Sequence, residues 1–251
     1  YASTITSNGG NVLLRGSSTG ADAGSDDAGV VLDGTTIDAG TGNVDVFGTG
    51  QRDVAGIIAN AGSIASAGGA VLFDGRSEGG DGVRMDGFGI ASGGGDISIL
   101  GYGDGIGVYA EYADLDSGGG NIVVHGEGGT GNGVDMSALL ASGGGGISVY
   151  GSSTDAAGLV FGDGYYAGMT CSGGDSELEG HGATGGVALY AGSYGSSAID
   201  SGGGDITVTG TASAAGAIGV YSDGVDLIGG AGDVTGSTGS SFTIIRAATS
   251  K

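Results

Sequence analysis

Nine times along this chain an apolar residue is followed, always seven positions later, by the start of a short alternating run. The starting residues are Ile5, Ile37, Ile64, Ile90, Leu115, Leu140, Met169, Ile199 and Leu227. Seven positions on stand Val12, Val44, Val71, Ile97, Ile122, Ile147, Ser176, Ile206 and Val234. Two further on come Leu14, Val46, Phe73, Ile99, Val124, Val149, Leu178, Val208 and Gly236. Apolar residues at i and i+2 mark a strand with one buried face. A glycine two positions later (Gly16, Gly48, Gly75, Gly101, Gly126, Gly151, Gly180, Gly210) reads as the end of that strand. After a loop of varying length, Gly followed by an apolar residue announces another strand at Val30, Ile57, Val83, Val108, Val134, Leu159, Val187 and Val220.

Each unit therefore holds three short strands. None is long enough for an independent hairpin, and the repeats are separated by 25 to 32 residues. Constant corners with length changes confined to loops describe a solenoid, in which corners preserve stacking and outward loops absorb insertions. The sequence predicts an all-β, single-chain parallel β-solenoid (β-helix), right-handed as parallel crossovers are. It has about nine coils, starting near residues 5, 37, 64, 90, 115, 140, 169, 199 and 227. The chain reads as one domain over 1–251, with 237–251 a terminal tail in which residues 241–245 offer one more strand. A lone coil cannot fold: ordering a backbone residue costs about 1–2 kcal/mol, more than its few buried side chains return. Stacking supplies the difference.

Composition closes off other classes. Glycine numbers 65 and proline is absent, so collagen is excluded. Interior glycines at this density also forbid stable helices. A net charge of −22 repels nucleic acid and anionic lipid and attracts divalent cations. No apolar run is long enough to span a membrane as a helix. Cys171 is the single cysteine, so no internal disulfide forms. The chain opens at Tyr1 without a secretion signal and reads as a mature or excised portion of something longer.

Three sets of positions invite a chemical reading. Before the inward Ile or Val stand Asn11, Asn43, Asp96, Asn121, Asp175, Asp205 and Asp233, with Ala70 and Gly146 interrupting. Stacked oxygens of this kind could chelate calcium, with Asp96, Asn121, Asp205 and Asp233 as candidates. The plainer reading is turn chemistry, since Asn and Asp tolerate left-handed backbone and bond nearby amides. Calcium is thus the one cofactor considered. Two positions after each start comes Ser7, Ala39, Ser66, Ser92, Ser117, Ser142, Cys171, Ser201 or Gly229, a row of small inward residues in which Cys171 replaces Ser. Its thiol reads as structural rather than nucleophilic.

Both histidines, His125 and His181, lack the three or four convergent ligands of a metal site. Gly180-His181-Gly182 is similar to a motif of polygalacturonase-like β-helix enzymes, but the acidic and basic segments that accompany it there are missing. The Gly runs lack a Walker lysine and are corners. Among ten tyrosines, Tyr109, Tyr150 and Tyr221 face outward on ladder positions and are the candidates for contact with glycans or with a neighbouring solenoid. Tyr102, Tyr112, Tyr165 and Tyr166 are of interest with them.

Segments such as Ile90-Ala-Ser-Gly-Gly-Gly-Asp-Ile-Ser-Ile99 and Ile199-Asp-Ser-Gly-Gly-Gly-Asp-Ile-Thr-Val208 resemble repeats of filamentous-haemagglutinin-like adhesins and autotransporter-type passengers. The resemblance runs over about residues 5–236. It implies a secreted or cell-surface rod used for adhesion, spacing or filament assembly, with self-association or continuation into a larger exoprotein. It implies no catalysis. Two alternatives stand beside it: a carbohydrate-binding or polysaccharide-active β-helix, and a calcium-dependent or ice- or mineral-binding surface. The outward row Arg15, Phe47, Asp74, Leu100, His125, Tyr150, Glu179, Thr209 is too mixed for ice.

Overall fold

The structure, a computed structural model, describes residues 2–20, 27–163, 167–191 and 197–238. Tyr165, Tyr166 and the strand expected at 241–245 lie outside them. The chain is an all-β parallel solenoid, and no helix occurs among the described residues. Every strand pairing is parallel and joins equivalent residues of successive coils. The seven-residue offset of the sequence becomes register: Val12 pairs with Val44, Val44 with Val71, and so on to Val234.

Each coil is roughly triangular. One side belongs to a nine-stranded sheet whose strands include Val12–Ser18, Val44–Gly50, Ile122–Gly128 and Ile206–Ala212. The other two sides, for example Ala55–Asn60 and Ser63–Ala65, belong to a fifteen-stranded sheet. Those two sides were expected as separate strands. In two coils they fuse into Val108–Asp116 and Val134–Ala141, which tie both sides into one sheet. The corner explains why. Gly34, Ala61, Gly87 and Tyr112 occupy it with φ of +57°, +48°, +60° and +52°. The next coil lacks a residue at this point, since Glu111 pairs with Ser137 and Ala113 with Ala138, so its strand runs straight through. Tyr112 is left as a bulge.

The glycines after the alternating run do not end the strands. Gly16, Gly48, Gly101 and Gly126 sit inside seven-residue strands that continue two residues further. They are glycine because the two sheets touch there. A Cβ on Gly48 would lie 2.0 Å from the Gly56 carbonyl oxygen, one on Gly101 2.0 Å from that of Gly107, and one on Gly151 2.1 Å from that of Gly158. Two facing glycine rows thus pinch the triangle shut at backbone distance. Beyond the pinch, Ser77 and Ser153 hydroxyls donate to carbonyls of the facing loop.

At the Gly-rich corner a third glycine row stacks on itself along the axis. A Cβ on Gly120 would stand 2.3 Å from the Gly95 carbonyl oxygen, and one on Gly145 2.2 Å from that of Gly120. The serines of the inward row are fully buried at Ser92, Ser117, Ser142 and Ser201. Ser117 Oγ bonds the carbonyls of Gly120 and, at 3.1 Å, of Ser142 in the next coil. One hydroxyl carries a single proton, which it offers to two carbonyls of buried residues. Cys171 substitutes in this row, and its thiol lies 3.0 Å from Ser176 Oγ. Both are buried. That contact accounts for the polar Ser176 at a position otherwise held by Ile or Val.

The Asn/Asp row behaves differently from the turn expected of it. None of Asn11, Asn43, Asp96, Asn121, Asp175, Asp205 or Asp233 has positive φ. Instead the side-chain oxygens of all of these but Asp233 reach one coil up the axis. Asn11 Oδ1 accepts from the Asn43 amide, Asp96 Oδ1 from Asn121 at 2.7 Å, Asn121 Oδ1 from Gly146 at 2.9 Å and Asp205 Oδ1 from Asp233 at 2.9 Å. Left-handed geometry is supplied by glycines such as Gly118 and Gly119 (φ +63° and +134°). The Asn/Asp side chains are a hydrogen-bonded strap between coils. Asn121→Ala is expected to cost about 0.5–1.5 kcal/mol, the net worth of one such bond, read as a shift in the urea midpoint.

Candidate binding site

Because the strands of the nine-stranded sheet run on past their glycines, two outward rows lie side by side on its solvent face. One is Arg15, Phe47, Asp74, Leu100, His125, Tyr150, Glu179, Thr209; the other is Ser17, Thr49, Arg76, Tyr102, Glu127, Ser152, His181, Thr211. Neighbours along and across the rows make a continuous line of rings that begins at Arg76. The Arg76 guanidinium lies 4.4 Å from the Tyr102 ring centre. Tyr102 and His125 are 5.7 Å apart, His125 and Tyr150 4.6 Å, Tyr150 and His181 5.7 Å. Both histidines of the chain are in this line.

Each polar end is held by its own strand. Arg76 donates to both oxygens of Asp74, at 3.0 and 3.3 Å, and that bond raises the proton affinity of an already permanent cation. His125 Nε2 is 3.1 Å from Glu127 Oε1, and His181 Nε2 is 2.7 Å from Glu179 Oε1. An ionised carboxylate only accepts, so Nε2 carries the hydrogen in both rings. Thr211 Oγ1 meets His181 Nδ1 from the next coil. The rings are half-buried, as is Glu179, while Glu127 is exposed. Such pairs add about 0.5–1 kcal/mol each at exposed sites, too little to be needed for a frame built on the buried rows.

Alongside this line the turns rise into two open hollows of about 540 and 570 Å³. Arg76, Glu78, Tyr102, Asp104 and Glu127 line the first; Glu127, Ser152, Ser153, Thr154, His181 and Thr211 line the second. Glu127 and Gly128 belong to both, so the two form one trough along the axis.

Of the residues singled out from sequence, Tyr150 is in the line. Tyr109 and Tyr221 are on the fifteen-stranded sheet, in the row Arg84, Tyr109, Asp135, Val160, Ala188, Tyr221. Asp96, Asn121, Asp205 and Asp233 are on the Gly-rich corner, each on its own rung of the strap. Among the described residues no group of three or more His, Cys, Asp or Glu is placed to hold a metal ion. Sequence reasoning named Tyr102 without placing it on a row, and missed Arg76, Glu127 and the pairing of His181 with Tyr150. The signal was present one position after each glycine, but a strand ended at that glycine has no second outward row.

The row on the other sheet has its own packing. Tyr109 Oη donates to Glu111 at 2.6 Å, and burial, then that carboxylate, raises the phenol's pKa. Tyr190 and Tyr221 rings are 5.5 Å apart beside an open hollow of about 460 Å³. Next to Tyr109 in the same row, burial raises the pKa of Asp135 despite the bond it accepts from Asn132 Nδ2 at 2.9 Å. A carboxyl whose pKa rises on folding stabilises the fold in its protonated form. That contribution is complete below the ordinary aspartate value of ~3.9 and is lost as pH climbs through the raised one. Asp135→Asn is therefore expected to raise Tm at pH 7 and to leave it nearly unchanged at pH 3. Calorimetry at the two pH values checks the sign.

The chain matches no protein-family model, no curated protein and no solved structure. What it can do has to be read from its own geometry.

Proposed function

We propose that this chain is a non-catalytic adhesive rod displayed outside the cell, of the general kind formed by filamentous-haemagglutinin-like and autotransporter-passenger exoproteins. The observation that carries the reading is the continuity of its internal rows. Glycines at backbone contact, buried serines and inter-coil Asn/Asp straps extend along the described length with few interruptions. Such a frame resists bending and presents side chains at a fixed spacing of ~4.8 Å per coil. Rigid spacing of outward groups serves presentation better than it serves a closing catalytic cleft. The acidic surface, with a net charge of −22, keeps such a rod soluble and away from nucleic acid.

Self-association or continuation along the axis is part of the proposal. The first rung of the nine-stranded sheet, Val12–Ser18, has a strand neighbour on one side, and Ile5, Leu14 and Val30 there are only half-buried. A further solenoid layer, from the same polypeptide or another copy, would cover them. Labelling intact cells with an antibody to the rod tests the location; signal only after permeabilisation would overturn it. Electron microscopy of the purified protein, with and without calcium, tests assembly. Filaments with an axial repeat near nine coil spacings are expected if copies stack, and lone short rods under both conditions would overturn end-to-end stacking.

A further inference from the structure

We infer that the trough on the nine-stranded sheet binds an uncharged, extended oligosaccharide lying along the solenoid axis. Four properties of the trough converge on that ligand. First, Tyr102, His125, Tyr150 and His181 place partly exposed aromatic rings beside the trough on four successive rungs, about 14 Å from first to last at ~4.8 Å per rung. That length suits a short oligosaccharide rather than a single sugar, whose apolar C–H faces would rest on the rings. Second, hydroxyl-binding groups flank the rings on the same face. Glu127 and Glu179 carboxylates accept hydrogen bonds, while Arg76 donates. A sugar diol needs both kinds at once.

Third, charge selects the class. Glu78, Asp104 and Glu127 line the first hollow against the single cation Arg76, itself occupied by Asp74. A uronate, sulfated or sialylated chain would meet like charge in the trough and a net charge of −22 on the whole protein. An apolar peptide would leave these carboxylates desolvated without partners, a cost the open trough does not offset. Fourth, the walls are built to stay open. Ser77 and Ser153 hydroxyls bond the turn carbonyls beside the trough, at 2.7 Å in each case, so the hollows are preformed. Preformed sites lose little ordering entropy on binding.

The inference deepens the adhesive reading and rests on it for its biological setting. Cell labelling tests the location and solution binding tests the ligand, so either can fail alone. The experiment uses the purified chain on an array of neutral linear glucans, xylans and chito-oligosaccharides beside polyuronates and sialylated glycans. Isothermal titration with the best neutral oligosaccharide and its disaccharide follows. Binding to neutral chains is expected, weaker for the disaccharide. The double variant Tyr102→Ala/Tyr150→Ala should lose about tenfold or more in affinity, roughly one factor of ten per 1.4 kcal/mol. Tyr102→Phe/Tyr150→Phe, which keeps the rings, should stay within about threefold of the parent. Tyr190→Ala/Tyr221→Ala, on the other sheet, should bind as the parent does. Thermal melts establish that each variant is folded. The inference is overturned by no neutral binding, by preference for acidic glycans, or by loss of binding only in the Tyr190/Tyr221 variant.

Discussion

Gly126→Ala is expected to destabilise the solenoid by more than about 4 kcal/mol, an effect confined to substitutions that break packing at its tightest point. The added Cβ would stand 2.0 Å from the Gly133 carbonyl oxygen and 2.7 Å from Val134 Cγ2. Nothing there can give cheaply, because the obstacle is backbone. Moving it means parting the two sheets, and that separation would propagate to the rungs above and below, whose own glycines meet Gly107 and Gly158 in the same way. The backbone at Gly126 is not left-handed, so the requirement is space and not conformation. Gly87→Ala separates the two effects. Gly87 has φ +60° and open space around its missing side chain, and the cost expected is the ~1–2 kcal/mol of a left-handed alanine. Urea denaturation of the three proteins checks the order. Equal losses for the two variants would show that the sheets are not pinned at the glycine rows.

Phe88→Ala should cost about 3–5 kcal/mol, the range for removing a fully buried aromatic side chain. Phe88 is 0% exposed, and its ring lies 6.2 Å from that of Phe73. Its neighbours along the axis make the large value reasonable. The equivalent positions are Thr35, Gly62, Ala113, Ala138, Ala167, Ser197 and Val225, mostly small. Phe88 fits because Gly62 on the coil before it has no side chain; a Cβ there would come 2.8 Å from the Phe88 ring. It would also come 2.3 Å from the Thr35 carbonyl oxygen, so removing the ring relieves only part of the clash. One large ring thus fills the space of two coils. Neighbouring residues are fixed by the register of both sheets and cannot collapse into the vacancy. Gly62→Ala should destabilise on its own and be partly rescued in the double variant with Phe88→Ala. Simple additivity of the two losses in denaturation would overturn the pairing.

The trough shows how far a local pattern reaches. Strand starts, the seven-residue register and the inward Ile, Val and Leu rows were legible because they depend on spacing within one coil. So were the mixed outward row and the place of Tyr150 on it, since fixed corners carry each residue onto its equivalent in the next coil. The second outward row was not, although Tyr102, Glu127 and His181 occupy one position relative to their glycines. A glycine that interrupts alternation is locally the same whether it terminates a strand or makes room for another sheet. Only the facing row at Gly107, Gly133 and Gly158 distinguishes the cases.

The Asn/Asp row makes the same point from the other side. Its residue types and repetition were evident, and either a turn or a calcium site could explain them locally. The hydrogen bond that the structure assigns runs between coils, from Asn121 Oδ1 to Gly146 N, 25 residues apart. The sequence alone determined that the chain is a stack of coils, because a lone coil cannot offset its entropy and an invariant corner allows only one register. Tertiary structure alone decided where the stack is pinched, which corner residue is skipped to fuse two sides, and which side chains of separate coils stand together on one outward face. Those outcomes depend on distances between segments that never adjoin in the chain, and spacing along the sequence does not encode them.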